Sequence, residues 1–115
     1  MKFDRFEDIL VWQKAEELSI SIYKYFNNSR DFGFKDQIQR AGVSIMNNIA
    51  EGYERRTNNE FIHFLFIAKG SCAEVRSMLH LAKKLGKIDI TIYETLIQTS
   101  EEISKMLSGL IKSLR

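Results

Sequence analysis

Apolar residues recur every three or four positions in four separate blocks of the chain, and each block predicts an amphipathic helix. In the first, over about Asp8 to Asn27, the residues Val11, Ala15, Leu18, Ile22 and Phe26 form one stripe. Asn27, Asn28, Ser29 and Gly33 break it. The second block spans about Lys35 to Arg56 and carries Ile38, Gly42, Ile45 and Ile49 on one side. The third starts close to Asn58 and carries Phe61, Phe64, Leu65, Ala68, Cys72, Val75, Leu79, Ala82 and Leu85. The fourth carries Ile92, Leu96, Ile103, Leu107, Leu110 and Leu114. Thr57 with Glu60, and Thr91 with Glu94, read as capping boxes, in which hydroxyl and carboxylate accept bonds from free backbone N–H groups. Lys83, Lys84 and Gly86 read as the end of the third helix, cations near the negative pole and then a residue free to turn left-handed.

Three short connections force neighbouring helices to run antiparallel, so the expected fold is a single all-α domain over 1–115, an up-down-up-down four-helix bundle. The absence of proline from the sequence agrees. Folding the second and third helices back about Thr57 makes facing residues add to roughly 113, which sets Gly52 against Phe61, Ile49 against Phe64, Ile45 against Ala68 and Gly42 against Ser71. Gly42 and Gly70 each cost about 1 kcal/mol against alanine in a helix interior. Close approach of the two backbones at Gly42, Gly70 and Ser71 would account for that cost. Opposite the apolar side of the second helix, Arg40, Ser44, Asn47, Asn48, Glu51 and Arg55 fall within an arc of ~100°. They are expected to form a polar stripe facing away from the third helix, with Glu51 and Arg55 paired at i,i+4.

The formal net charge of +2 permits an anionic partner without requiring one. The lone Cys72 excludes an internal disulfide and fits a reducing compartment, taken as cytoplasmic. No apolar run reaches the length of a membrane span, and the opening MKFDRFEDILVW mixes acids with apolar residues, unlike a signal peptide. Glu60 and His63 have the Glu-x-x-His spacing of di-iron bundles, but His80 lacks a matching Glu, so no metal and no other cofactor is expected. Cys72 sits on a core stripe, and G-x-S-x-G is absent. An enzyme is not expected. Long cations remain for phosphate contact: Arg40, Arg55 and Arg56 on the second helix, Lys69 and Arg76 on the third, and Lys83, Lys84 and Lys87 at its end. Acids are nearly as numerous, so a solvated surface is the competing reading. Trp12, Ile20, Tyr23, Ile62, Phe66 and Ile67 lie partly off the core stripes and point to self-association.

The runs FEDILVWQKAEELSISIY, QIQRAGVSIMNNIAEGYERRTNNEFIHFLFIAKGSCAEV and LAKKLG cover almost the whole chain. They resemble the bacterial four-helix bundle proteins encoded in intervening sequences of large-subunit ribosomal RNA genes. The resemblance implies an antiparallel bundle and a homo-oligomer, in that family a pentameric ring. It also implies a distant relation to accessory proteins of diversity-generating retroelements, which assist a reverse transcriptase through a positively charged barrel. Asn48, Glu51, Gly52 and Arg55 match the family's polar run, and Phe61, Gly70 and Ser71 its third-helix run. Met46 stands where the family often has proline, so no kink is expected, and Lys35 replaces a small hydroxyl cap before the second helix. The reading is a non-enzymatic, self-associating module with a partly basic surface for RNA or a nucleoprotein. Arg40, Asn47, Asn48, Glu51, Arg55, Arg56, Lys69 and Arg76 are the candidate surface. The polar stripe of the second helix is then either a subunit interface or that docking surface, and the alternative is a purely structural oligomer without nucleic-acid binding.

Overall fold

The computed structural model describes residues 3–115; Met1 and Lys2, which open the expected domain and its acid-containing first stretch, lie outside them. A short 3-10 turn, Phe6–Asp8, precedes four helices: α1 Leu10–Phe26, α2 Phe32–Tyr53, α3 Asn58–Lys84 and α4 Ile90–Leu114. Each packs against its neighbour in the chain, and α1 closes against α4, so α1 and α3 occupy one diagonal and α2 and α4 the other. The result is a four-helix bundle measuring 43 × 22 × 20 Å. Residues of all four stripes meet in one core, from Val11, Ala15, Leu18 and Ile22 through Ile38, Ile45, Ile49, Leu65, Ala68 and Val75 to Leu96, Ile103 and Leu107. No described helix is long and apolar enough to cross a membrane.

Two helix starts differ from the sequence expectation, because aspartates upstream do the capping. Helix α2 begins at Phe32, ahead of Lys35, where the Asp31 carboxylate accepts the Phe34 N–H at 3.2 Å. Gly33 therefore lies in its first turn rather than in a break. The pair Thr91 and Glu94 is not a capping box: Asp89 caps α4, accepting the Ile92 N–H at 2.9 Å. At α3 the Thr57 hydroxyl accepts the Glu60 N–H at 3.1 Å as expected, but the Glu60 carboxylate reaches the Arg56 N–H. Gly86, at φ 73°, closes α3, with Lys87 N–H donating to Ala82 O at 2.9 Å. Because α3 ends there, Leu85 leaves the core stripe and is exposed.

The close approach between α2 and α3 lies at Gly52, not at Gly42 and Gly70. A methyl group built on Gly52 would stand 2.6 Å from Phe64 Cβ and 2.9 Å from Phe61 Cδ1. Gly42 is instead pressed against α1, where a Cβ would meet Ile22 Cδ1 at 3.0 Å and Ser19 Oγ at 3.4 Å. Ten residues turn a helix by ~1000°, which leaves the two glycines ~80° apart and facing different neighbours. Gly70 faces open space, with nothing within 4 Å of an added Cβ. It is two residues from both buried Ala68 and buried Cys72, ~200° round the helix from each. Ser71 does reach α2, sharing a 2.8 Å hydrogen bond with Ser44 Oγ.

Ser19 is 5% exposed, and its hydroxyl has no hydrogen-bond partner among the protein groups. A buried unpaired hydroxyl costs about 1–3 kcal/mol. Ser19→Ala is therefore expected to leave stability unchanged or raise it by about 1 kcal/mol, read from the midpoint of urea unfolding. A loss of stability would mean that the hydroxyl is satisfied in solution.

Candidate functional site

The sequence-derived surface divides into three places. On the outer side of α2, Arg40, Asn47, Asn48 and Glu51 join Tyr23 of α1 around a shallow groove of ≈ 390 Å³. Arg40 is held by Asp36 one turn back, Nε to Oδ2 2.8 Å, which leaves its charge locally compensated. Asn48 donates from Nδ2 to the Ser44 carbonyl at 2.8 Å and to Ser44 Oγ at 3.0 Å. Since Ser44 in turn bonds Ser71, the stripe does not face wholly away from α3: its Ser44–Asn48 edge is part of the α2–α3 seam. Asn48 lies only ~40° round the helix from Gly52, which packs on α3, so this edge of the arc meets that helix.

Arg55 and Arg56 lie in the turn from α2 to α3. The Arg55 guanidinium sits over the Phe64 ring at 4.7 Å from its centroid, so it stacks instead of pairing with Glu51. It borders a groove of ≈ 500 Å³ shared with Phe6, Glu51 and Glu54, and another of ≈ 410 Å³ shared with Asn59, Glu60 and His63. In both grooves Arg55 stands beside acids, Glu51 and Glu54 in the first and Glu60 in the second.

Lys69 and Arg76 face α4. The Lys69 ammonium donates to Ser108 Oγ. Arg76 approaches Cys72 Sγ at 3.8 Å and lines a groove with Glu101, Ser104 and Lys105. Because α2 and α4 are diagonal, this pair cannot share one surface with Arg40 and Asn47. Cys72 is buried and donates to the Ser100 carbonyl at 3.1 Å, and burial pushes its thiol pKa up, so it remains a protonated core group. Glu60 is engaged as a cap, and among the described residues no group of three or more His, Cys, Asp and Glu stands close enough to hold a metal ion.

The fold also brings Lys83, Lys84 and Lys87 to one end of the bundle with cations of the first two helices. The α1–α2 and α3–α4 turns meet at one end of the bundle, tied by Lys87 Nζ to Asp31 Oδ2 at 3.1 Å. That ion pair, together with the Phe34 N–H, holds the Asp31 carboxyl below its ordinary pKa. Lys24, Arg30, Lys35, Lys83 and Lys84 belong to the same end, with exposed Tyr25, Phe32, Leu85 and Ile90 among them. Only Lys83, Lys84 and Lys87 are close together in sequence, and no spacing rule connects them with Lys24 or Lys35.

Of the apolar residues off the core stripes, Trp12 and Ile62 are half-buried, Trp12 with an edge-on contact to Phe6 at 5.2 Å. Ile20, Tyr23, Phe66 and Ile67 stay exposed, Ile20 to 63%.

A family model described as 23S rRNA-intervening sequence protein matches residues 7–109. Among solved structures, a protein of unknown function from the S23 ribosomal protein family of Bacteroides thetaiotaomicron VPI-5482 is 33% identical and superposes with a TM-score of 0.84. The match covers 90% of this chain and 99% of that one. No curated protein matches. Neither description names an enzymatic activity.

Proposed function

This chain belongs to the 23S rRNA-intervening sequence protein family, and on that premise we propose a non-enzymatic, self-associating helical module, a homo-oligomeric ring that offers a partly basic surface to RNA or a nucleoprotein. The observation that carries self-association is the pair of apolar outer faces. Ile20 and Tyr23 on α1, and Phe66, Ile67 and Leu81 on α3, are large and exposed. Because α1 and α3 are diagonal, these faces point to opposite sides of the bundle. Two different faces on opposite sides join head to tail, and a head-to-tail contact closes into a ring when its rotation permits. Gly70 fits this arrangement: nothing in its own chain approaches it, and a helix of the next copy can come close there.

Light scattering is expected to give a mass several times that of one chain, and Ile67→Lys to give a monomer with unchanged helix content and stability within about 0.5 kcal/mol. A monomeric wild type at high micromolar concentration overturns the reading. The pairing of Arg40 with Asp36 favours the second reading, a structural oligomer that binds no nucleic acid.

A further inference from the structure

We propose that the end of the bundle formed by the α1–α2 and α3–α4 turns is the RNA-docking surface, and that it takes unpaired nucleotides, with phosphates on its lysines and a base on Phe32. This rests on the proposed function and narrows its basic surface to one place. The charge is distributed unevenly along the molecule. At this end stand Lys24, Arg30, Lys35, Lys83, Lys84 and Lys87, and among the described residues only Lys87 of these has an ion-pair partner. Of the two acids beside them, Asp31 pairs with Lys87 and accepts the Phe34 N–H, while Asp89 accepts the Ile92 N–H and keeps its charge, so the cations still outnumber the acids. One turn further in, Asp36 pairs with Arg40, while Glu94 remains as the one acid there without an ion-pair partner. At the other end Glu51, Glu54 and Glu60 stand among Arg55 and Arg56, and Asp8 pairs with Arg5. The bundle is 43 Å long, several Debye lengths at physiological salt, so a ligand at one end does not feel the balance at the other. A net charge of only +2 therefore conceals one strongly cationic end.

The exposed rings at this end, Phe32 and Tyr25, fit nucleotides better than the other occupants. Phe32 is 68% exposed, and Lys35 Nζ lies 5.3 Å from its ring centroid; Lys24 stands 5.3 Å from the ring of Tyr25. A flat, exposed ring with an ammonium over one face keeps the other face for stacking on a base and offers charge to a neighbouring phosphate. A second copy docked end to end would set like charges against each other. A bilayer would have to take up the rings together with the ammonium groups lying against them, which is unfavourable below the headgroups.

The test is fluorescence anisotropy of a labelled RNA hairpin with a single-stranded loop, titrated with the full chain at ~50 and ~200 mM salt. Joint replacement Lys24→Gln, Lys35→Gln, Lys83→Gln and Lys84→Gln is expected to weaken binding at least about tenfold and to flatten its salt dependence. Phe32→Ala is expected to weaken it about fivefold or more with the salt dependence retained. A control at the other end, Arg5→Gln with Lys112→Gln, is expected to bind as wild type. Circular dichroism of each variant verifies folding. If the wild type binds but the lysine variant binds equally well, or the control loses as much, this surface is wrong and the proposed function stands. No binding by the wild type at ~50 mM salt overturns both this assignment and the RNA role. Retention on phosphatidylserine vesicles without RNA binding overturns it in favour of a membrane surface.

Discussion

Gly52→Ala is expected to lower the unfolding free energy by about 1–3 kcal/mol, even though alanine is the better helix former by about 1 kcal/mol. The new methyl group would lie 2.6 Å from Phe64 Cβ, an atom fixed to the α3 backbone and unable to rotate away. The 2.9 Å contact with Phe61 Cδ1 offers little relief, because Phe61 is itself 2% exposed and packed edge-on against Tyr53 at 6.0 Å. The remaining response is for α2 and α3 to separate at this layer, which gives up dispersion contact along the most extensive helix pair in the bundle. Gly70→Ala serves as the internal comparison. Its methyl meets nothing in its own chain, so in the monomeric Ile67→Lys background the propensity gain of about 0.5–1 kcal/mol should appear undiminished as added stability. If urea unfolding moves both midpoints in the same direction by the same amount, Gly52 is not the contact that sets the helix spacing.

The second large effect is expected at Ile49, which is fully buried one turn before Gly52. Ile49→Ala should cost about 3–5 kcal/mol, the upper part of the range for such truncations. The cost depends on how far the surroundings can collapse into the void. Here α2 is already as near to α3 as Phe61 and Phe64 permit, so the cavity persists. Ile111, 4% exposed in the last turn of α4, provides the contrast. A helix end can shift inward, and Ile111→Ala should cost about 2 kcal/mol. Since domains of this size are stable by about 5–15 kcal/mol, the Ile49 variant should also show a large fall in melting temperature. Equal costs at both sites would show that the α2–α3 spacing is not rigid.

The helices and the core were legible in the sequence because burial against one core imposes a period of 3.6 residues, visible from Val11 through Leu107. Their starts were less so. Asp31 precedes Phe-Gly-Phe, which does not look like a first helical turn, and Asp89 was overshadowed by the threonine two residues later. The register of α2 and α3 was close: Gln37 Nε2 donates to Glu74 at 3.2 Å and Ser44 meets Ser71. A sum of residue numbers fixes a layer, however, and not which of two flanking helices a side chain faces. That is why Gly42 was assigned to the wrong neighbour. Half of the cationic end was legible in Lys83, Lys84 and Lys87, but its junction with Lys24, Arg30 and Lys35 was not. Its lysines come from segments some fifty residues apart, and only the antiparallel path of the chain sets Lys35 near Lys83.

Tyr53 donates its hydroxyl proton to the Phe3 carbonyl, and Asn58 Nδ2 reaches the Leu114 carbonyl at 3.4 Å, so the first and last described residues emerge at the same pole. That pole is the charge-balanced one. A tether or dye attached beside Phe3 or Leu114 therefore projects away from Phe32 and its lysines. Molecules anchored to a sensor through such a handle would stand upright, cationic crown outward.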